Sequence, residues 1–116
     1  MFVTVKLSED LPVGSVVKYD SSGAYVISNT STYPIGVVIK APIQDSETQE
    51  WSARVAFAGS CHALAHASIP EEGGILEVIN GRVHVSTVDT HSGVIAPLSL
   101  GEPARQAGDL VLVHLR

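Results

Sequence analysis

Cysteine is nearly absent from this chain. Its 116 residues include one cysteine, Cys61, so an intrachain disulfide framework is excluded. A Cys-x-x-Cys zinc or redox motif is excluded for the same reason. Free cysteines are among the most buried residue types, and we therefore expect Cys61 to act as a small buried hydrophobic residue.

Positive charge is also scarce. Seven Lys and Arg residues stand against twelve Asp and Glu residues, which gives a net charge of -5. The three lysines, Lys6, Lys18 and Lys40, are well separated and form no basic run. Because a nucleic-acid binder needs a basic footprint to displace counterions from phosphates, we expect no nucleic-acid partner. An anionic membrane surface is a poor partner for the same reason.

Long apolar runs are missing as well. The apolar runs that are present are all much shorter than the roughly 20 residues that span a bilayer. Residues 1–10 lack the positive segment and the long apolar segment of a secretory signal. We therefore expect a chain that is made in a cytoplasm and has no membrane partner.

Aromatic residues are few, with two Phe, three Tyr and one Trp. A barrel that stacks nucleic-acid bases places several aromatic side chains on one surface beside basic neighbours, and no such cluster is visible here. Trp51, at the end of the acidic loop over residues 41–50, is the strongest single candidate for an interface anchor. A position at the edge of the core is the alternative for this side chain.

The apolar pattern predicts an all-β fold. The chain is 45% hydrophobic and 16% charged, with a mean hydropathy of +0.25, which excludes a disordered chain. Apolar residues recur with period two in short runs that Gly, Pro, Asn, Asp and Ser interrupt, and no sustained helical period occurs. We expect a single β domain over residues 1–116, a compact antiparallel barrel or sandwich of about nine to ten short strands. The predicted strands are 1–7, 15–19, 24–28, 35–39, 51–58, 60–68, 75–79, 82–86, 94–98 and 110–115.

The clearest local signal is the pair Asn80-Gly81. Asn-Gly is the preferred pair for a two-residue type I′ hairpin turn, because both positions need a positive φ. This turn sets Glu77 opposite His84. It also gives one wholly apolar face, made by Leu76, Val78, Val83 and Val85, and one mostly polar face, as a half-buried ribbon requires.

The histidines do not form a metal motif. His62 and His66 share a face of a predicted strand, where about 13 Å separates them, too far for one metal ion. A helical segment would bring them together as a zinc pair, but the alternation with Cys61, Ala63 and Ala65 favours a strand. The His-x-His of a metal-dependent cupin is missing from this segment. We therefore expect no bound metal.

A catalytic constellation is not visible either. Glu77 and His84, with Arg82 nearby, are either a general acid–base pair or a solvated cross-strand ion pair, and no nucleophile or oxyanion motif accompanies them. Ser60 lies outside a Gly-x-Ser-x-Gly motif, and Gly73 and Gly74 do not form a phosphate loop. We expect a protein that is not an enzyme and that uses no cofactor.

Five different sequence motifs follow one another along the chain, and their order is informative. They are residues 11–17 (LPVGSVV), 33–38 (YPIGVV), 54–59 (RVAFAG), an alternating strand that ends at residue 69, and 108–113 (GDLVLV). In this order they resemble the small capsid decoration, or cement, proteins of tailed bacteriophages. One strand departs from the family pattern. The family commonly has an isoleucine–glycine strand before the last turn, and the nearest match here is residues 94–97 (VIAP). Pro97 restricts this strand to a sheet edge.

The resemblance implies a structural virion protein that stabilises a phage capsid by clamping neighbouring major capsid protein subunits. It implies a location on the capsid exterior and association with itself as a homotrimer or homodimer. The candidate contact residues are Phe2, Val3 and Trp51, because large apolar groups at a domain margin are typical anchors. The strand over residues 1–7 either adds to a partner's sheet or is internal. The alternatives are a small ligand- or sugar-binding module of a virion or bacterial surface and a cupin-type metal enzyme.

Overall fold

The computed structural model describes residues 2–21, 23–29, 35–69, 75–85, 98–99 and 106–115. These residues form eleven strands and no helix, which confirms the all-β prediction. The strands are β1 (Phe2–Leu7), β2 (Val16–Tyr19), β3 (Tyr25–Ile27), β4 (Ile35–Val38), β5 (Ile43–Gln44), β6 (Trp51–Ala56), β7 (Gly59–Leu64), β8 (Leu76–Ile79), β9 (Arg82–Val85), β10 (Leu98–Ser99) and β11 (Leu110–Leu115). The expected turn at 70–74, the loop at 87–92 and the first four residues of the predicted strand 94–98 lie outside the described residues.

Five strands close into a barrel in the order β1-β3-β2-β4-β6, with β6 returning to β1. Strand β1 pairs with β6 along its whole length, from Phe2 opposite Ala56 to Leu7 opposite Trp51. Its contact with β3 is a single parallel position, Leu7 with Tyr25. The two-residue strand β5 adds to β6 outside the closed ring. The N-terminal strand is therefore one of the strands that close the barrel.

A second layer covers one side of the barrel. Strands β10, β11 and β7 form an antiparallel sheet, and β8 and β9 form a hairpin. A parallel bridge between Ala65 and Val83 links the end of β7 to the hairpin. The N–H of Leu64 donates to the carbonyl of Gly14, which ties β7 to the barrel.

Two apolar cores follow from this arrangement. One lies inside the barrel and includes Leu7, Leu11, Val17, Val38, Ala53 and Val55, with Tyr25, Ile27, Trp51 and Phe57 packed against them. The other lies between the barrel and the second layer and includes Val16, Val37, Cys61, Ala63, Val83, Val111 and Val113. All four residues of β4 are buried, so both faces of this strand are covered.

The β8–β9 hairpin has the predicted turn. Asn80 and Gly81 have φ values of 48° and 75°, as a type I′ turn requires. Glu77 lies opposite His84, and the apolar face points into the core between the layers. The hairpin therefore agrees with its sequence in turn, register and buried face.

The strand β7 differs from its predicted pattern at one residue. Leu64 was expected on the same face as His62 and His66, both of which are exposed, yet Leu64 is buried. A Cβ built on Gly14 would lie 2.9 Å from Leu64 Cγ, so the two residues are in close contact. The contact with Gly14 explains the burial, because this loop residue covers the end of the strand.

Candidate interaction surface

We define the outer wall of the barrel by five residues, of which all but Ser52 are exposed: Ile43, Ser52, Lys6, Arg54 and Thr4. Residues directly opposite each other in antiparallel strands share a face. Ile43 pairs with Ser52, which pairs with Lys6, and Arg54 pairs with Thr4 two residues further along. The wall therefore spans three neighbouring strands, β5, β6 and β1.

Ile43 dominates this wall. Its exposed fraction is 72%, the highest of the five large hydrophobic residues that are exposed in the described part of the chain. The sequence interpretation placed it in an exposed acidic loop and did not single it out. An isolated branched residue between Pro42 and the acidic stretch was the available signal.

A cavity of about 310 Å³ opens on the outer wall, and we call it the wall cavity. Its lining includes Thr4, Lys40, Ala41, Ile43, Ser52 and Arg54. Two positive side chains thus stand beside an exposed branched side chain, and the lining residues that the structure describes include no carboxylate. Lys6 lies on the same wall and forms an ion pair with Glu50 at 3.1 Å.

The three predicted contact residues occupy different environments. Val3 is exposed at 42%, at the far end of β1 from the buried Leu7. Trp51 is half-buried and packs against the core inside the barrel, which is the core-edge alternative considered for it. The backbone of Phe2 pairs with Ala56, and its side chain lies outside the described part of the structure.

Within the described part of the chain, one edge of β1 lacks a strand neighbour over most of its length. The edge that faces β6 is fully paired, whereas on the other side only Leu7 meets β3. Within the described residues, Phe2 to Lys6 therefore have no paired strand on that side. An unpaired edge presents N–H and C=O groups that can add a strand from another chain.

A second cavity, of about 340 Å³, lies where the loop before β2 meets the second layer. Its lining is Val13, Ile39, Ser60, Cys61, His62 and Leu110. Cys61 is buried, as predicted, and desolvation raises the pKa of its thiol to about 11. The thiol is therefore protonated at neutral pH and unsuited to act as a nucleophile, because the thiolate is the reactive form.

The side chains of Glu77 and His84 are in contact across the β8–β9 hairpin. Glu77 Oε1 lies 2.9 Å from His84 Nε2, and both side chains are partly buried. The other ring nitrogen, Nδ1, lies 2.7 Å from the carbonyl oxygen of Val85. The ring of His66 is 5.7 Å from that of His84, centroid to centroid. Over the described parts of the chain, no three His, Cys, Asp or Glu side chains are arranged to hold a metal ion.

The acidic loop has an ordered turn. Asp45 Oδ1 accepts hydrogen bonds from the N–H groups of Glu47 and Thr48 at 2.8 and 3.0 Å. These backbone donors lower the pKa of the Asp45 carboxyl, since they stabilise its charged form. Gln49 closes the loop with a φ of 64°, a left-handed conformation that is uncommon for a residue with a side chain.

Comparison with protein-family models, with curated proteins and with solved structures gives no match to this chain. The described residues also include no helix that is long and apolar enough to cross a membrane. The function is therefore inferred from the surface, the packing and the sequence resemblance.

Proposed function

We propose that this chain is a structural virion protein that binds the exterior of a phage capsid and stabilises it by clamping neighbouring major capsid protein subunits. The observation that carries the proposal is a packed β body with exposed apolar side chains and, within the described residues, one largely unpaired strand edge. Such a body suits a clamp, because its packed core holds the surfaces that contact neighbouring subunits at a fixed separation. The order of sequence motifs supports the same function.

The packing inside the barrel favours the function of a clamp more than that of a protein that carries a small ligand. Among the described residues, six are buried at its centre, and five further aromatic or branched side chains pack against them. Barrels that carry a small ligand hold an interior cavity for it, whereas small filled barrels do not. The second cavity has no lining residue from this core, and the wall cavity shares Ala53 with it.

The alternative function is a small ligand- or sugar-binding module of a virion or bacterial surface. The second cavity is the feature that favours it, because its volume is within the range of small-molecule sites. No aromatic residue is found among its described lining residues, and such sites are lined mainly by hydrophobic and aromatic side chains. The clamp is therefore the better supported function.

Self-association is part of the proposal. Large apolar side chains are exposed on several strands of the described part of the chain. A homotrimer or homodimer covers part of this surface, and the shell covers another part. Neither nucleic acid nor a membrane is a partner in this proposal, which agrees with the net charge of -5.

Co-sedimentation with expanded capsids of the phage that encodes the chain tests the proposal. We expect the wild-type protein to pellet with the shells at a saturating stoichiometry. Val3→Asp should weaken binding, because it places a charge beside the open edge of β1. Val13→Asp is the matched control, since Val13 is similarly exposed but lies by the second cavity. A wild-type protein that stays in the supernatant contradicts the proposal.

A further inference from the structure

We propose that the wall cavity binds an acidic side chain from an extended segment of the shell subunit, and that an apolar neighbour of this side chain packs on Ile43. This inference rests on the proposed capsid function and adds the surface that docks and the chemistry of its partner. The site includes Ala41 and Ile43 of the acidic loop, whereas the open edge of β1 is a separate feature.

The charge of the wall cavity points to an acidic partner. The chain carries five more acidic than basic residues, yet both charged residues in the cavity lining are positive, Lys40 and Arg54. Lys6 adds a third positive side chain on the same wall, partly balanced by Glu50. A local positive site on an acidic protein steers a negatively charged group towards it and disfavours other docking orientations.

The apolar side of the site points to a peptide. Ile43 projects from the row that it shares with Ser52 and Lys6, and nearly three quarters of its surface is exposed. An exposed branched side chain beside a concave surface gives a partner apolar area to bury, which is the usual core of a protein contact. A phosphate of nucleic acid would leave Ile43 uncovered, and the net charge of the chain opposes a polyanion.

The backbone explains why the cavity is there. The N–H of Ile39 donates to the carbonyl of Arg54, and Ile43 is next paired with Ser52. Three residues, Lys40 to Pro42, therefore separate Ile39 from Ile43, whereas their partners on β6 are only two positions apart. The extra residues bulge away from β6 and leave the concave surface that Lys40 borders.

Zero-length carbodiimide cross-linking of shells with bound protein tests this directly, because it joins a lysine amine to a carboxylate in contact with it. We expect mass spectrometry to find Lys40 joined to an Asp or Glu of the major capsid protein. Cross-links to the shell through Lys6 or Lys18 with Lys40 unlinked would overturn the inference. A link from Lys40 to the acidic loop of a second copy, formed without shells, would also overturn it.

Variants measure the energetic role of the site. Lys40→Glu should weaken shell binding about tenfold or more, because it reverses a charge that meets the partner's carboxylate. The charge-matched control is the double variant Ser21→Asp with Ser68→Asp, which alters the net charge equally at two exposed positions of other elements. Ile43→Ser should also weaken binding, whereas Tyr19→Ser, at another exposed large side chain, should have less effect.

The outcomes separate the inference from the proposed function. Shell binding by the wild type with a selective loss in Lys40→Glu and Ile43→Ser supports both. Equal binding by all variants leaves the capsid function standing and overturns the docking site. No binding by the wild type overturns the capsid function and, with it, this inference. Thermal melting of each variant provides the folding check, since substitutions at exposed positions usually change stability little.

Discussion

The N–H of Gly81 donates a 2.8 Å hydrogen bond to the carbonyl oxygen of Ser28 and thereby fixes the tip of the β8–β9 hairpin on the barrel. The carbonyl oxygen of Gly81 accepts a second 2.8 Å bond, from the N–H of Val16. A Cβ built on Gly81 would lie 3.1 Å from Ile27 Cγ2. One turn residue therefore closes the hairpin and also joins the two layers.

The first prediction concerns this turn. Gly81→Val should lower the free energy of unfolding by about 1 kcal/mol or more, because a β-branched residue resists a positive φ. Gly81→Ala should cost more than Gly23→Ala, since Gly23 has a φ of 91° but no atom within 4 Å of an added Cβ. Denaturant unfolding of the variants measures the differences. Equal losses for the two alanine variants would show that the contact with Ile27 is unimportant.

The second prediction concerns Gly36, at which strand β4 crosses close to β6. An added Cβ would lie 2.3 Å from Val55 Cγ1, closer than atoms can pack. Gly36→Ala should therefore destabilise the protein by about 1–3 kcal/mol through overpacking. The double variant with Val55→Ala gives the added methyl group more room. Its loss of stability should therefore be smaller than the sum of the losses of the two single variants. Additive losses would contradict this explanation.

The third prediction compares two substitutions of Gln49 in the acidic loop. Gln49→Gly should raise the free energy of unfolding relative to Gln49→Ala by up to about 1 kcal/mol, because glycine adopts the left-handed conformation without the Cβ penalty. Both variants lose the hydrogen bond from Gln49 Nε2 to the carbonyl of Ser46, so their comparison isolates the backbone effect. A less stable glycine variant would contradict the assigned loop conformation.

The fourth prediction is a pH dependence at Asp45. Backbone hydrogen bonds lower the pKa of its carboxyl in the folded protein. The carboxylate therefore contributes stability that is present above the unfolded pKa, about 3.9, and is lost as the pH falls through the lower folded pKa. Asp45→Asn should be less stable than the wild type at neutral pH, and the difference should shrink on acidification. Melting curves of the two proteins measured at each pH check this. A stability difference that stays the same at every pH would contradict the prediction.

Local features of the fold could be predicted from the sequence. Asn80 and Gly81 set their own turn and register, and the continuous apolar run in β4 indicates burial on both faces. Pairings between distant segments could not be predicted. Strand β1 pairs with β6, which starts 44 residues after the end of β1, and no residue pattern of either strand specifies the other.

The candidate site shows the same division. Val3 was predicted as a contact residue from its place in the first strand, and the structure places it at an exposed position. Ile43 was missed because a polar loop gives no reason to expect a two-residue strand within it. Lys40 and Arg54 are fourteen residues apart, and the pairing of β4 and β5 with β6 brings them to one cavity.

The most direct test of the capsid function is the melting temperature of emptied, expanded shells, measured by calorimetry with and without saturating wild-type protein. A protein that binds the native shell and clamps neighbouring subunits stabilises that shell by mass action. We predict that the melting transition moves to a higher temperature as protein is added and levels off when the binding sites are full. A transition that does not move at any protein concentration would contradict the account.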